Sequence, residues 1–379
     1  MKKKEQIDAV LLDFSKAFDK VDHQGLLLKL EHLGIRNSLL NWIRSFLVGR
    51  KQKVLVEGKA SAPKPVTSGV PQGTVLGPLF FLIYINDISK GLSPGTKLKL
   101  FADDSLLYRT IKSPADSAIL QKDLDQLQLW ENKWKMEFHP GKCQLLNITN
   151  KSKIFHNEYT IHGIRLEKTD AAKYLGVVID SSLNWKQQYN QVNQKASKVL
   201  GLLRRNFNHC STSIKSQCYS TLVRPILEYG CSVWDPHHKI DIDSLKRVQK
   251  RGARFATGNY CMESGNSDHN LKTLGWDKLE ERRIRNKLIY FQKARLNLID
   301  IPTEHLRLKT RPTRLGGDGP AYMREFSGID GHRFSFFPDT LNIWNNLPSN
   351  IRTCEDINLY SSKIQEINLT SLRYNIRVA

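Results

Sequence analysis

The chain has 379 residues, 40% hydrophobic and 25% charged, which is enough to bury sizeable cores and excludes a disordered or fibrous chain; two or three folded units are expected. Its 58 Lys and Arg against 37 Asp and Glu leave a formal charge of +21 and a pI near 9.7, favouring a polyanionic partner over a small neutral one. Six dispersed cysteines without a CxxC pair argue against a secreted disulfide scaffold, and neither the MKKKEQIDAV start nor the apolar run from Leu79 to Ile85 reads as a signal peptide or bilayer span, so an intracellular protein with no membrane partner is expected.

Ala9 to Leu12 is continuously apolar and ends at Asp13, the pattern of a buried strand delivering an acid to its end, and QGLLLKLEHLG predicts a helix stopping at Gly34. Ser38 is placed to cap a second helix, SLLNWIRSFLVG, and KQKVLVEGKASAPKPV reads as a hairpin turning at Gly58. The loop SGVPQGTVLGP opens an apolar helix reaching Asn86. A turn (SPGT), a strand (LKLF), Asp103, Asp104 and a strand (SLLYRT) then predict a hairpin tipped with carboxylates. Ser113, Pro114 and Asp116 supply an N-cap, a first-turn proline and an acidic third position for a long helix expected to run to His139-Pro140-Gly141. Strands are expected at 144–148 and 174–179.

From Trp185 the texture changes to amphipathic helices rich in Lys and Arg, including KASKVLGLLRRNF, SIKSQCYSTLVRPILEYG and DSLKRVQKRGARF, which sets a boundary near Leu183. Beyond Asn259 a polar stretch precedes another basic helix, EERRIRNKLIYFQKAR, and a tail holding RPTRLGGDGP and FFPDTLNIWNNLP.

Nucleotidyl transfer needs two divalent metals a few ångströms apart, and therefore carboxylates converging from separate strands. Asp13 and the Asp103-Asp104 tip supply that pattern, although each alone would read as a helix cap or a polar turn. LDFSKAFDKVDH, SGVPQGTVLGPLFFLIYINDI and FADD, in this order and spacing, resemble the A, B and C motifs of reverse transcriptases, with the closest likeness to non-LTR (LINE-type, jockey-like) retrotransposon polymerases. The likeness continues through WKMEFHPGKCQ, KYLGVVID, RRNF, RPILEYGCSVWDP and FFPDTLNIWNNLP.

The resemblance implies an α+β, right-hand polymerase: a palm with an antiparallel sheet over 1–183, a helical thumb over 184–259, and a basic, mainly helical C-terminal region over 260–379. It implies an RNA-directed DNA polymerase that uses Mg²⁺ as two ions, with Mn²⁺ as a substitute, on an RNA template, a DNA primer or nicked target DNA, and dNTPs. Asp13 and Asp103 are the implied metal ligands, with the Phe14 carbonyl as a further one and Asp104 as a supporting acid. Phe18 falls at the aromatic gate that excludes a ribose 2′ hydroxyl. In the PQG loop, Pro71 stiffens the helix entry, Gln72 contacts nucleotide or template, and Gly73 lets backbone approach the nascent pair. Lys142 stands where a proton is offered to the leaving pyrophosphate, although His139 replaces the usual Asn and Gly141 precedes the lysine.

Lys198, Arg204 and Arg205 on one helix, and Lys246, Arg247, Lys250, Arg251 and Arg254 on another, form stripes suited to duplex phosphates. The cysteine and histidine spacings fit no zinc finger, and Trp234, Trp344, Phe336 and Phe337 read as sealing a small core. Motif A begins almost at Met1, so the resemblance implies an N-terminally truncated chain without most of the fingers or the endonuclease, which an upstream region of the full element would carry. The rival reading is a catalytically inactive remnant that binds nucleic acid. The family's life cycle implies the nucleus, with a cytoplasmic ribonucleoprotein stage.

Overall fold

The computed structural model describes residues 5–151, 153–261, 266–303, 306–309, 320–324 and 328–374. The MKKK start and all but the last residue of RPTRLGGDGP lie outside the described residues. The chain divides into two compact units, Lys3–Leu183 and Asn184–Ala379.

In chain order the first unit holds β1 (Gln6–Leu12), α1 (His23–His32), α2 (Asn37–Leu47), β2 (Lys51–Gln52), β3 (Leu55–Val56), β4 (Lys59–Ala60), β5 (Lys64–Pro65), α3 (Leu76–Ile85), β6 (Lys97–Phe101) and β7 (Asp104–Ile111). It continues with α4 (Pro114–Trp134), β8 (Gln144–Thr149), β9 (Thr160–Ile161), β10 (Ile164–Arg165), β11 (Glu167–Thr169), β12 (Ala171–Tyr174) and β13 (Val177–Asp180). The main sheet has the order β11-β8-β1-β7-β6 and is antiparallel except for the β11–β8 pair, which is parallel.

Strand β1 is central because QIDAVLL can be covered on both faces. Val10 lies opposite Leu107 of β7 and Leu145 of β8, so the three share one face, and they join Leu26, Phe81, Tyr84 and Leu124 from the helices in one core. Asp8 is fully buried and its carboxylate accepts from Gln6 Nε2 (2.8 Å), Asn147 Nδ2 (2.7 Å), Asn157 Nδ2 (3.1 Å) and Tyr159 OH (2.7 Å). A buried acid is tolerated here because its lone pairs are filled.

Three expected boundaries shift. Ser38 does not cap α2: the helix starts at Asn37, which has φ +54°, and Arg36 before it makes no side-chain capping bond. Helix α4 ends at Trp134 rather than running on to His139, because Lys135 turns left-handed at φ +54°. Met136 and Phe138 then alternate into the core from extended backbone, and Phe138 bridges Phe14. The strand expected at 174–179 is a hairpin, β12 paired with β13 across a turn at Leu175 (φ +46°) and Gly176 (φ +81°). The turn at Glu57-Gly58 (φ +47° and +80°) forms as expected.

The second unit is helical among its described residues apart from the Leu308–Tyr322 bridge. It runs through α5 (Lys186–Asn206), α6 (Thr212–Cys218), a π-helical turn (Tyr219–Val223), α7 (Arg224–Glu228), α8 (Cys231–Trp234), α9 (Lys239–Thr257), α10 (Asn266–Thr273) and α11 (Leu279–Arg295). Beyond these come α12 (Asp330–Arg333), α13 (Phe336–Trp344), α14 (Ser349–Arg352), α15 (Ile357–Gln365) and α16 (Leu369–Tyr374). Ile284, Leu288 and Phe291 of α11 pack with Trp344 and Tyr360 in its core.

Helix α11 is basic in composition, but Arg283 and Lys287 are 0% and 1% exposed. Asp235 accepts from Arg283 Nε (2.8 Å) and Lys287 Nζ (2.6 Å) and lies 3.0 Å from Arg373 Nη1; Asp339 accepts from Lys287 and from Arg373 Nη2 (3.0 Å). Burial pushes the Asp235 carboxyl up, but Arg373, Lys287 and Arg283 outweigh it and hold it below the usual carboxylate range. Trp234 and Trp344 are fully buried, in keeping with a core role, and among the described residues every cysteine is free.

Candidate active site

Asp13 follows directly on the last paired residue of β1, Leu12, which lies opposite Ser105 of β7. His139 N donates to the Asp13 carbonyl (2.8 Å) and Ser15 N to that of Glu137 (2.8 Å). This makes Phe14 and Phe138 a non-hydrogen-bonded pair, so the Phe14 carbonyl points away from Phe138, toward the β7 side. The Phe14 ring is buried and stacked on Phe138 with centroids 4.5 Å apart, which leaves the carbonyl as its usable group.

Asp104 pairs with Phe101 across the β6–β7 turn, where Ala102 takes φ +50° and Asp103 stands at the tip. The Leu12–Ser105 register sets that tip beside Asp13. Partial burial pushes the Asp104 carboxyl up, and the charges of Asp103 and Asp13 push it further. Burial, then the charge of Asp104, raises the Tyr174 phenol at the end of β12.

Lys142 is projected by the His139-Pro140-Gly141 turn, its amide donating to the His139 carbonyl at 2.9 Å. Its Nζ lies 3.3 Å from Asp13 Oδ2, yet that oxygen is shielded from solvent and accepts no hydrogen bond. Lys142 is largely solvated and Asp13 partly so, and the pair contributes little stability. Cys143 accepts from the Asp13 amide at 3.5 Å, and burial pushes its thiol up to about 11.

Among the described residues no group of three or more His, Cys, Asp or Glu side chains is disposed to hold a metal ion. The unsatisfied Asp13 oxygen, the uncompensated acids at the tip and the outward Phe14 carbonyl are hard oxygen donors. They fit Mg²⁺, which is commonly held by one or two carboxylates together with substrate phosphates rather than by a full protein cage.

The turn after Asp13 is tied to the loop before α3. Val70 N donates to the Phe18 carbonyl (2.9 Å), Gly69 N to that of Val21 (2.8 Å), and Ser68 Oγ to that of Asp19 (2.8 Å). A Cβ on Gly69 would lie 2.8 Å from the Asp19 carbonyl, so only glycine allows this approach. The Phe18 ring stacks on Phe81 of α3 at 4.5 Å, while Gln72 Nε2 donates to Asp19 Oδ1 at 3.2 Å. The Pro71 carbonyl accepts from Thr74 Oγ1 (2.8 Å) ahead of α3, and Gly73 turns left-handed at φ +76° with open space at its Cβ position.

In the second unit Lys198, Arg204, Arg205, Arg247 and Arg251 are exposed, while Lys246, Lys250 and Arg254 are half-buried. Lys246 pairs with Glu280 at 3.2 Å, Arg251 Nη2 donates to Ser197 Oγ at 2.7 Å, and Arg204 lies 5.8 Å from the Tyr260 ring. Part of the basic stripe thus fastens α9 to its neighbours. Cys143 and Asp19 were not among the expected site residues: a lone cysteine and an acid in an exposed turn carry no signal of their own. Tyr174 could have been found, since it lies in the KYLGVVID motif.

The reverse transcriptase (RNA-dependent DNA polymerase) family model matches residues 1–179. Residues 1–179 belong to the reverse transcriptase family. The chain is 32% identical over 269 residues to the RNA-directed DNA polymerase from mobile element jockey of Drosophila funebris, covering 68% of this chain and 29% of that protein. It is 29% identical over 295 residues to the jockey polymerase of Drosophila melanogaster, covering 74% and 32%. The probable RNA-directed DNA polymerase from transposon X-element of the same species is 29% identical over 263 residues, covering 67% and 29%. The chain therefore spans about a third of the length of these curated relatives. Among solved structures, apo telomerase from Candida tropicalis aligns at a TM-score of 0.38 and 12% identity over 78% of this chain and 50% of that one, too slight a likeness to carry an argument. Among the described residues of this reverse transcriptase relative, no helix is long and apolar enough to cross a membrane.

Proposed function

We propose that this chain carries the catalytic centre of a non-LTR retrotransposon's RNA-directed DNA polymerase, with residues 1–183 as palm, 184–259 as thumb and 260–379 as C-terminal region. The observation that carries the reading is the β1–β7 register, Leu12 opposite Ser105, which sets the Asp103-Asp104 tip beside Asp13. Asp13 and Asp103 hold the divalent cations, Mg²⁺ or Mn²⁺, with the Phe14 carbonyl beside them and Asp104 as a neighbouring acid. When bound, such a metal pair stabilises the attacking and leaving oxygens of an in-line displacement.

The protein's own groups orient the reactants. The Phe18 ring, backed by Phe81, closes the space a ribose 2′ hydroxyl would need, so deoxynucleotides are selected. Gln72 and Gly73 face the incoming nucleotide and template, on a loop whose place is set by Phe18, Asp19 and Val21. Lys142 Nζ donates a proton to the leaving pyrophosphate from the edge of the acidic cluster. The exposed cations Lys198, Arg204, Arg205 and Arg247 hold the RNA–DNA hybrid by its phosphates. The partners are an RNA template, a primer or nicked target DNA and dNTPs, and the place of action is the nucleus, after a cytoplasmic ribonucleoprotein stage.

Primer extension on a defined RNA template with Mg²⁺ tests this, using the chain alone and the chain joined to the upstream segment of a jockey polymerase. Templated addition of deoxynucleotides by either supports the reading. No addition by both, with RNA binding retained, would leave a catalytically inactive nucleic-acid-binding remnant in its place.

A further inference from the structure

Residues 50–66 form one long ribbon. Val66 N donates to the Arg50 carbonyl (2.9 Å), β2 pairs with β5, Ser61 N donates to the Val54 carbonyl (2.9 Å), and β3 pairs with β4 around the Glu57-Gly58 turn. Every residue from Lys51 to Pro65 is exposed. Val54, Leu55 and Val56 are 65%, 67% and 62% exposed, and successive strand residues point to opposite faces, so neither face of the ribbon is covered. A two-stranded ribbon of this size is marginal by itself. It is anchored at its root, where Arg50 donates from Nε to the Leu47 carbonyl (2.9 Å) and from Nη2 to the Gly69 carbonyl (3.0 Å). The anchor fastens the ribbon to α2 on one side and to the loop that runs on to Gln72 and Gly73 on the other.

The charge of this arm is one-sided. Residues 36–66 hold seven Lys and Arg against one acid, Glu57. Lys51, Lys53, Lys59 and Lys64 are exposed, and none makes an ion pair among the described residues. Helix α2, which leads into the ribbon, presents Trp42 at 54% exposure with its indole stacked on Phe46 (centroids 5.8 Å, 15° between planes). Lysines along an extended ribbon and a flat, supported, exposed aromatic are the two elements of single-strand nucleic-acid binding: phosphate neutralisation and base stacking.

We propose that the ribbon of residues 50–66, with Trp42, binds single-stranded RNA template as it approaches the Pro71-Gln72-Gly73 loop. The inference rests on the polymerase reading for the direction of the strand. A fully paired duplex offers phosphates to the lysines but no open base face to Trp42, which is why the single strand is the better occupant.

The test is fluorescence anisotropy of a labelled 20-nucleotide RNA, single-stranded or duplex, titrated with the full chain across a series of salt concentrations and without deoxynucleotide. Each single-strand phosphate contact contributes about 0.7 to the slope of log K against log salt, so changing Lys51, Lys53, Lys59 and Lys64 together to Gln lowers the slope by about 2.8. A charge-matched control with Lys112, Lys122, Lys153 and Lys168 changed to Gln, all exposed and all outside the arm, leaves the slope unchanged. Trp42→Ala weakens single-strand binding about tenfold and leaves duplex binding as it was. An unchanged slope in the arm variant overturns the proposal and points to a protein partner for the apolar tip. An equal loss in the control overturns it in favour of diffuse attraction, and equal effects of Trp42→Ala on both RNAs overturn the single-strand assignment. Because no nucleotide is added, a polymerase reading that fails in primer extension leaves this result standing.

Discussion

Gly77 provides a direct test of how the loop before α3 is held. A Cβ built there would lie 2.3 Å from the Pro71 carbonyl and 3.2 Å from Thr74 Oγ1, whereas ordinary contact begins near 3.4 Å. Gly77→Ala therefore forces the Pro71 carbonyl to retreat by about 1 Å, and the obstacle is backbone rather than a side chain that can swing aside. Overpacking of this kind costs about 1–3 kcal/mol, and for a unit of this size each kcal/mol lowers Tm by roughly 2–4 °C. Gln72 and Gly73 are carried by the displaced segment, and misplacement of about 1 Å costs ~100-fold in rate. Gly34→Ala, at the end of α1 and outside the site, is the comparison: φ is +88° but nothing lies within 4 Å, so only the left-handed strain of about 1 kcal/mol is added. Thermal unfolding and single-nucleotide incorporation, measured side by side on the two variants, check the argument. A Gly77→Ala protein with unchanged Tm and unchanged incorporation would refute it.

Other outcomes follow from the buried charges and the gate. Asp235→Asn leaves Arg283, Lys287 and Arg373 facing a lost charge and lowers stability by about 3–5 kcal/mol in chemical denaturation; a loss below about 1 kcal/mol would contradict the network. Because the Asp235 carboxyl is held below its ordinary pKa of 3.8, its contribution is present above that value and disappears as pH falls toward the depressed one, so the same variant flattens the acid limb of the stability curve. Burial among Tyr84, Trp130 and Trp134 pushes Lys29 down to about 8 despite its 2.6 Å bond to Asp87. The unfolded chain then binds more protons than the folded one between about pH 8 and 10.5, stability rises with pH across that window, and Lys29→Met removes the rise. Phe18→Val opens the space beside Phe81 and raises ribonucleotide incorporation relative to deoxynucleotide in competition assays; unaltered discrimination would remove Phe18 from the gate.

Much of the first unit was legible because its signals are local. A short apolar run ending in an acid marks β1 and Asp13, and Ser113, Pro114 and Asp116 mark the start of α4, where Asp116 accepts from the Lys112 and Ser113 amides at 3.0 Å. The misses have tertiary causes. Met136 and Phe138 continue a helical pattern in composition, but both are buried from non-helical chain, with Phe138 stacked on Phe14, and α4 ends at Trp134 before the left-handed Lys135. KYLGVVID reads as one strand because its Leu-Gly turn needs a left-handed leucine, which sequence does not favour. In EERRIRNKLIYFQKAR the charges suggest a solvated face. Arg283 and Lys287 are buried only because Asp235 and Asp339, 48 and 52 residues away in the chain, come to meet them. The acidic centre itself was legible as a motif, whereas the Cys143 contact with the Asp13 amide and the Arg50 anchor depend on chain crossings that no local pattern announces.

Whether Asp13 and Asp103 form the polymerase centre is decided by RNA-templated primer extension with the Asp13→Asn/Asp103→Asn double variant beside the unaltered protein, each also joined to the upstream segment of a jockey polymerase, with RNA binding recorded on the same samples. Binding is retained and extension disappears in the double variant; extension that persists would place the chemistry on other residues.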